Sequence, residues 1–448
     1  MTTLTATTVR HLPLPEDKDT RPGAYFVSNY PPFSFWTPQR VGEIYDALDQ
    51  PPAPGNPLGL YVHIPFCRKR CHFCYFKVYT DKNAQAIQEY LDAVIAEARI
   101  YAQGAFLGDR QLQFVYFGGG TPSYLSAKQL AYLTDGLRDA LPWDQVQEVT
   151  FECEPGTLNE KKLQAIRDMG VTRLSFGIED FHDHVLETNG RAHLSKQVYA
   201  AYGWARDVGF PQINVDLIAG MLEGTDETWE DNLRRTLEIE PDCVTIYQME
   251  VPFNTTIFKR MKESGQLVAP IADWNTKRRW VKYAFAELEK AGYAISSAYT
   301  AVRNPETTRF VYRDSLWHGA DLLALGVASF GHINRTHYQN DKDIGPYVKA
   351  LAENRLPIHR ACRIDEEQAL IRELILQMKL GHLDAGYFRG KFGVEILDRF
   401  AGPFDRFREA GFLEVDGDRV ALDRDAMLQV DHMLPEFFLP EHREVHND

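Results

Sequence analysis

Residues 63–76, HIPFCRKRCHFCYF, contain three of the six cysteines of this 448-residue chain, with the spacing C-x3-C-x2-C. The preceding residues, LGLYVHIPF, are apolar and rich in β-formers, and they follow the stretch PPAPGNPLG. This pattern predicts a strand that opens a domain, with the cysteines in the loop that leaves the strand. The other three cysteines, Cys153, Cys243 and Cys362, are isolated, which argues against a disulfide framework and predicts buried thiols.

The cysteine loop predicts a metal centre. A structural zinc site needs four ligands, and no second Cys/His pair follows at the usual distance, although His63 and His72 keep a mixed zinc site open. Three thiolates fit better on three irons of a [4Fe–4S] cluster, since such clusters are held by cysteines. The fourth iron is then free to bind the amino and carboxylate groups of S-adenosylmethionine. The neighbouring residues 68–70, RKR, either neutralise this centre and attract acidic partners or form a solvated basic turn.

Composition restricts the class of protein. The chain has 49 Lys and Arg against 63 Asp and Glu, a net charge of −14, so a general nucleic-acid-binding surface is not expected. No apolar run approaches 18 residues, and the first residues lack the pattern of a signal or transit peptide. These features predict a cytoplasmic enzyme without a membrane span that acts on a small molecule.

Short apolar runs alternate with amphipathic segments over residues 58–300. This alternation predicts parallel strands joined by right-handed helical crossovers, and the number of units favours a partial (β/α)6 barrel of the α/β class. The predicted strands are QFVYFGG, EVTFECEP, RLSFGIE, INVDLIAG, CVTIYQME and YAISSAY, and the predicted helices are residues 85–102, 127–141, 160–169, 196–208 and 226–239.

Candidate site residues lie where these strands end, at the edge where such barrels place their chemistry. Gly118, Gly119 and Gly120, followed by Thr121, allow a ligand to approach the backbone closely, although an ordinary βα turn would use the same residues. Glu152 and Glu154 alternate along one strand and so share a face.

Three further polar residues are candidates for the same site. Glu179 ends the next strand, and Asp216 is an acid within an apolar strand, which usually requires a partner or a function. Arg191 either pairs with a ligand carboxylate or forms a structural salt bridge to an acid such as Glu152.

The remaining segments complete the predicted domain organisation. Residues 1–57 form an N-terminal arm, 58–300 the barrel, 301–363 a closing or connecting segment, and 364–448 a C-terminal domain. In the last of these, an amphipathic helix, a second helix and a hairpin with Asp416–Gly417 at its turn predict a winged-helix-like α+β unit. Its acidic residues favour a docking or lid role over DNA binding; they are Asp365, Glu366, Glu367, Asp384, Glu395 and Asp398.

These motifs, in this order, resemble the HemN-like branch of the radical S-adenosylmethionine superfamily, which includes oxygen-independent coproporphyrinogen III oxidases, haem chaperones and radical C-methyltransferases. The resemblance covers residues 20 to 430 and rests on YVHIPFCRKRCHFC, FGGGTP, FECEP, RLSFGIEDF, GRAH, INVDLIAG and ALGVASFGHIN. It implies that Cys67, Cys71 and Cys74 hold the cluster. It also implies that a first S-adenosylmethionine is lined by Tyr61, Phe73, Gly119, Glu152, Arg191 and Asp216, and that a second, where two are bound, contacts Gly120, Thr121 and Glu179.

Two departures bear on the activity that the resemblance implies. The oxidases carry a further cysteine where this chain has Phe76, and glutamine where it has Glu179. These variants favour the methyltransferase-like members, in which the radical from one S-adenosylmethionine abstracts hydrogen from the methyl group of the second, and the carbon adds to an sp2 centre. Glu179 and Tyr61 are then the candidate catalytic residues, with Glu179 as a base or as a partner for the sulfonium charge.

Two other functions stay open. The arm at residues 23–36, GAYFVSNYPPFSFW, resembles the segment that crosses the active site in coproporphyrinogen oxidase and supports that activity. A haem chaperone would instead need haem ligands, for which His318, His332 and His337 are candidates. A flavodoxin or ferredoxin is the expected electron donor of the enzyme.

Overall fold

A computed structural model describes residues 3–15 and 18–443. Its main feature is a twelve-stranded sheet with the order β12-β11-β10-β9-β1-β2-β3-β4-β5-β6-β8-β7. The strands are β1 Leu58–Ile64, β2 Leu112–Gly119, β3 Glu148–Cys153, β4 Arg173–Glu179, β5 Gln212–Ala219, β6 Cys243–Gln248, β7 Ala294–Ile295, β8 Thr300–Val302, β9 Asp321–Leu325, β10 Phe330–Ile333, β11 Thr336–Asn340 and β12 Ile358–Arg363.

The strands from β9 through β1 to β6 are mutually parallel, and the flanking strands pair antiparallel. The predicted α/β partial barrel of six successive units is therefore confirmed. YAISSAY is not a seventh parallel strand, because residues 294–295 pair antiparallel with β8 in a short hairpin. The place beside β1 is taken instead by β9, from the segment predicted to connect or to close the barrel.

Helices cover the outer face of the sheet. They are α1 Gly42–Leu48, α2 Ala84–Tyr101, α3 Ala127–Ala140, α4 Glu160–Asp168, α5 Asp183–Thr188, α6 Ser195–Val208, α7 Asp226–Ile239, α8 Thr256–Ser264, α9 Trp274–Lys290, α10 Val311–Trp317 and α11 Ile344–Ala352. The five predicted helices match α2, α3, α4, α6 and α7 to within one residue at each end. Side-chain caps explain this accuracy, since Asn83, Asn159 and Thr225 accept from the first-turn amides of their helices.

Alternation along the strands gives the barrel an apolar outside and a polar inside. On β4, Leu174 and Phe176 join the main hydrophobic core against the helices. Ser175, between them, faces inward and donates to Asp216 at 2.8 Å. The inner wall can therefore hold charged groups, provided that other side chains satisfy them.

The C-terminal part has a second hydrophobic core. It contains α12 Glu366–Met378, α13 Ala385–Phe392, α14 Ile396–Arg399, α15 Ala401–Glu409, α16 Arg424–Met427 and α17 Val430–Met433, with β13 His382–Asp384, β14 Leu413–Asp416 and β15 Arg419–Leu422 in a three-stranded sheet. The predicted hairpin is present, but Asp416 pairs with Arg419, so the turn residues are Gly417 and Asp418. Val27 and Tyr30 of the arm are buried in this second core.

Within the described residues, none of the helices combines the length and the apolar composition that a bilayer crossing requires.

Candidate functional site

The cysteine loop follows β1 directly, as predicted, and is tied down on both sides. Cys67 N donates to Tyr79 O and Tyr79 N donates to Pro65 O, which fixes the base of the loop. On the other side His72 N donates to Asn189 O, and its Nδ1 lies 2.8 Å from Thr188 O. These backbone hydrogen bonds therefore fix the shape of the loop.

The RKR turn has a structural role as well as a charge. Arg68 donates to Gly156 O at 2.7 Å, and Arg70 donates to the carbonyl oxygens of Cys74 and Asn254. Lys69 is exposed. Two of these three cations thus hold the loop in place, and Lys69 leaves its charge on the surface.

The donor set fits an iron–sulfur cluster. All six cysteines of the chain are free thiols, and Cys153, Cys243 and Cys362 are buried as predicted. Within residues 3–15 and 18–443, no group of three or more Cys, His, Asp or Glu is spaced to hold a single metal ion. Cys71 nevertheless lies close enough to Cys67 and Cys74 to raise the pKa of these two thiols, after the larger effect of burial, which brings the pKa of Cys67 to about 11.

Hydrogen-bond donors point at two of the three sulfurs. Thr121 Oγ1 donates to Cys67 Sγ at 3.3 Å, and Arg191 Nη1 donates to Cys71 Sγ at 3.3 Å. A Cβ at Gly120 would lie 3.0 Å from Cys67 Sγ, so a side chain there would crowd the sulfur. Donors of this kind are the usual support of cysteine-ligated clusters, and the three thiols are the residues that would hold one.

The predicted acids meet at the carboxyl ends of β3, β4 and β5. Glu152 accepts from Tyr116 Oη at 2.7 Å and from Gly119 N at 3.2 Å. Asp216 accepts from Ser175 Oγ at 2.8 Å and from Asn214 Nδ2 at 2.9 Å. Burial raises the pKa of both carboxyl groups, that of Glu152 to about 7.

Glu154 does not join this group. It lies one residue beyond β3, accepts from Gly156 N at 3.0 Å and lies 2.8 Å from His193 Nδ1. Although Glu152 and Glu154 alternate along the sequence, the chain leaves the sheet at Cys153, so Glu154 stabilises a turn.

Glu179 is held in an unusual backbone conformation. The register of β4 against β5 shifts between Gly177 and Glu179, and Glu179 has φ +67°. A bulge of this kind re-aims a side chain, and positive φ in a non-glycine residue carries strain that clusters at functional sites. Burial is the main cause that raises the pKa of Glu179 to about 7, with further contributions from Asp216 and Glu152.

Arg191 pairs with Glu179, with Nη2 3.6 Å from Oε1, and not with Glu152, the acid named from the sequence. Nη2 also donates to Gly177 O at 2.5 Å. Its Nε is buried without a hydrogen-bond partner. The arginine thus links the cysteine loop to Glu179 and keeps one donor free.

Aromatic side chains, most of them missed from the sequence, line the space above these groups. Tyr61, a predicted site residue, stacks on Tyr116 with ring centroids 5.9 Å apart, and its Oη lies 3.2 Å from His63 Nδ1. Tyr75 and Tyr247 keep 51% and 43% of their surface exposed, although burial of their hydroxyl groups raises the pKa of both. Alternation along β2 and β6 predicts that the side chains of Tyr116 and Tyr247 face the barrel interior. It does not predict that the two side chains lie near each other.

The predicted Phe73 lies away from the acids, packed on a small core that contains Val185 and Met249. Phe76 is 37% exposed and contacts Tyr75 in a tilted arrangement, with ring centroids 4.3 Å apart.

The arm and the C-terminal part meet on this side of the barrel. Tyr25 N donates to Glu250 Oε2 at 3.0 Å, and burial raises the pKa of Glu250 to about 8. Lys379 donates to Val27 O at 2.6 Å, pairs with Asp431 at 2.8 Å and lies 3.7 Å from the centre of the Phe26 ring. The contacts of the arm escaped the sequence analysis because Glu250 and Lys379 lie more than 200 positions from the arm residues that they bind.

The three histidines considered for haem do not present free ring nitrogens on one surface. His332 Nδ1 and His337 Nδ1 are 3.0 Å apart in the interior, and His337 Nε2 lies 3.0 Å from Tyr30 O. Trp36 of the arm stacks on His337 at 4.7 Å. His318 Nδ1 lies 2.7 Å from Asp314 O. The buried pair therefore anchors the arm.

This parallel barrel, with its three-cysteine loop at the carboxyl ends of the strands, is a radical S-adenosylmethionine fold. The sequence model of the Radical SAM superfamily matches residues 61–236. The oxygen-independent coproporphyrinogen III oxidase of Synechocystis is 29% identical, and the match covers 81% of this chain and 79% of the oxidase. The heme chaperone HemW of Bacillus subtilis is 27% identical, and the match covers 82% of this chain and 96% of the chaperone. The solved structure of Escherichia coli coproporphyrinogen III oxidase (HemN) superimposes with a TM-score of 0.79 at 25% identity, covering 92% of this chain and 96% of that one. The chain is therefore similar to HemN-like radical S-adenosylmethionine proteins over most of its length.

Proposed function

We propose that this protein is a radical S-adenosylmethionine enzyme that adds a methyl or related one-carbon group to an unsaturated or aromatic small molecule, using a second S-adenosylmethionine as the carbon donor. The observation that carries the proposal is Glu179, an acid with a pKa of about 7 on a strained bulge beside Arg191. A carboxyl group near neutrality is suited to remove a proton at physiological pH, which carbon addition to an sp2 centre requires.

The cysteines and Arg191 would bind the cluster and the first S-adenosylmethionine. Cys67, Cys71 and Cys74 would hold the [4Fe–4S] cluster. When bound, the cluster supplies the electron that breaks a C–S bond of S-adenosylmethionine and releases a 5′-deoxyadenosyl radical. Arg191 has a free buried Nε that suits the methionyl carboxylate.

The remaining site residues would orient the cosubstrates. Glu152 and Asp216 are acceptors suited to ribose hydroxyl groups or an amino group, and Tyr61 lies on the same wall. Gly120 and Thr121 lie beside Cys67, where a second sulfonium would be near Glu179 if two molecules bind.

The charge of the cavity supports a substrate without several carboxylates. Glu152, Glu179, Asp216 and Glu250 are acidic, while Arg191 and Lys379 are already paired with acids. Coproporphyrinogen has four carboxylates and would need cationic partners. The exposed aromatic rings, which are those of Phe26, Tyr75, Phe76 and Tyr247, suit a planar apolar substrate.

Anaerobic reconstitution followed by mass analysis of the S-adenosylmethionine products tests the proposal. We expect 5′-deoxyadenosine and, in the presence of a substrate, S-adenosylhomocysteine together with a product heavier by one carbon. Formation of 5′-deoxyadenosine without S-adenosylhomocysteine in the presence of a modified product would contradict methylation.

Oxidative decarboxylation of coproporphyrinogen III is the second candidate. The named relatives favour it, since several of them are coproporphyrinogen III oxidases. The arm, which lies against both Glu250 and Lys379, also supports it. Release of carbon dioxide and formation of protoporphyrinogen from coproporphyrinogen III would decide for this activity, and their absence in protein that cleaves S-adenosylmethionine would exclude it.

A further inference from the structure

A cavity of about 360 Å³ lies at the end of the barrel opposite the cysteine loop. Its walls include Arg173 and Cys243, the first residues of β4 and β6, together with Thr300, Phe310 and Arg313. Because parallel strands begin at one edge and end at the other, this cavity is separate from the acids at the carboxyl ends. A second cavity of about 510 Å³ adjoins it at Pro305 and Thr308.

Arg173 is a buried cation that forms no direct ion pair among the described residues, although Glu148 and Asp216 act on its charge at longer range. Its guanidinium lies 4.0 Å from the centre of the Phe310 ring, and Nη2 contacts Cys243 Sγ at 3.9 Å. Among the described residues, no carboxylate oxygen lies within 4.0 Å of it, although Arg173 is only 2% exposed. A buried guanidinium without a counter-charge is costly.

Two further arginines face the same cavity. Arg313 Nε and Nη2 bind Asp314 Oδ1 at 2.7 Å, but its Nη1 is buried without a hydrogen-bond partner. Arg309 is exposed at the cavity wall and forms no ion pair within the described part of the chain. Of the three arginines around this cavity, only Arg313 therefore forms an ion pair within the described residues, with Asp314.

The other acid near this cavity, Glu148, already accepts several hydrogen bonds. Glu148 accepts from Val311 N at 2.8 Å, from Tyr312 N at 3.1 Å and from Thr150 Oγ1 at 3.1 Å. Its attraction to Arg173 acts at longer range than an ion pair. Glu148 and Asp216 thus offset part of the Arg173 charge from a distance, and among the described residues no carboxylate forms an ion pair with Arg173 or Arg309.

We propose that this cavity binds a small oxyanion, a phosphate or carboxylate group, between Arg173, Arg309 and Arg313. Guanidinium groups bind such oxyanions through paired N–H donors, and the free Nη1 of Arg313 is a donor of this kind. Ser296, Thr300 and Thr308 add hydroxyl groups to the wall. The site is independent of the radical chemistry proposed above.

Titration of the full-length protein with inorganic phosphate, followed by calorimetry and thermal unfolding, tests the site. We expect phosphate to bind and to raise the unfolding temperature, since a ligand that binds only the folded state stabilises it, while chloride at equal ionic strength has no such effect. Arg313→Gln and the double variant Arg309→Gln/Arg313→Gln should weaken phosphate binding at least tenfold. Arg234→Gln, in an exposed ion-pair cluster on α7, should bind as the unaltered protein does.

Absence of phosphate binding in the unaltered protein, or equal binding in the double variant, would overturn the proposal. If the double variant does not fold, phosphate binding by the single variant Arg309→Gln, at an exposed position, is compared instead. Equal binding by this variant and the unaltered protein would again overturn the proposal. Comparison with acetate and glycerol 3-phosphate distinguishes the sources of the anion. Tighter binding of glycerol 3-phosphate than of phosphate would indicate the end group of a larger molecule that extends into the adjoining cavity.

Discussion

Glu179 combines a strained backbone with a carboxyl group that titrates near neutrality. We expect Glu179→Gln to lower the rate of substrate modification by about 10²- to 10⁴-fold, the usual effect of losing a general base. A base must be deprotonated, so the rate in the unaltered enzyme should rise with pH through about pH 7 and then level off. Single-turnover rates between pH 5.5 and 8.5 measure both effects.

The control for this variant is Glu187→Gln, which changes an exposed acid on α5. It should keep the rate and the pH profile. A Glu179→Gln enzyme with an unchanged pH profile would show that another group supplies the base.

The cysteines give a second prediction at this scale. Replacement of Cys67, Cys71 or Cys74 by alanine should remove most of the iron from reconstituted protein, which otherwise holds about four irons per chain. Cys153→Ala and Cys362→Ala are matched controls, because both thiols are buried elsewhere and should leave the iron content intact. Iron analysis and electron paramagnetic resonance of the reduced protein measure the outcome. Equal iron loss in a control variant would argue against the assignment.

Single residues were predictable from sequence where their role depends on local spacing. The cysteine loop and the positions of Glu152, Glu179 and Asp216 at strand ends follow from the alternation of strands and helices. The partner of Arg191 did not follow, because the bulge that turns Glu179 toward it depends on the register between β4 and β5. Register is a property of two strands and is not visible in either one alone.

At the scale of the elements, β4, β5 and β6 are joined inside the barrel by a chain of hydrogen bonds. Thr245 Oγ1 donates to Asn214 Oδ1 at 2.9 Å, and Asn214 Nδ2 donates both to Ser175 Oγ at 2.8 Å and to Asp216 at 2.9 Å. These hydrogen bonds fix the orientation of the Asp216 carboxylate. They therefore support the candidate site without lying in it.

This arrangement predicts a difference between two substitutions of one residue. Thr245→Val should lower the free energy of unfolding by about 1–3 kcal/mol, since it leaves the buried Asn214 oxygen without a donor. Thr245→Ser keeps the hydroxyl group and should cost less. Urea denaturation of both variants measures the difference, and equal losses would mean that packing of the methyl group dominates.

The arm is the element whose function depends most on distant contacts. Lys379→Met should destabilise the protein by about 3 kcal/mol or more, because it leaves the partly buried Asp431 without its cation. Lys290→Met removes an exposed pair with Glu287 and should cost under about 0.5 kcal/mol. Urea denaturation gives the free energies, and limited proteolysis shows whether the arm is released. Similar stability of the two variants would contradict the structural role of Lys379.

Helix and strand boundaries were largely predictable because capping and alternation are local. The strand β9 was not, since its place beside β1 depends on a connection of more than 250 residues. The hairpin turn fell one residue later than expected because Gly417, with φ +58°, takes the first turn position.

At the scale of the whole molecule, the charge is −14 while the cysteine loop exposes Lys69. An acidic flavodoxin would be repelled by most of the surface and attracted at this loop. We expect Lys69→Glu to slow reduction by flavodoxin several-fold at low salt and to have little effect with dithionite as reductant. Stopped-flow absorbance at two ionic strengths measures the rates, and an equal loss with both reductants would point to damage to the centre itself.

The interleaving of the arm with the C-terminal part has a consequence for biosynthesis. Val27 N and Tyr30 Oη bond to Asp431 and His442, which follow them by 404 and 412 positions. The barrel strands and the cysteine loop are translated before these partners, so the nascent chain spends an interval with its cysteine loop made and the arm undocked. Delivery of iron and sulfide is least hindered during that interval.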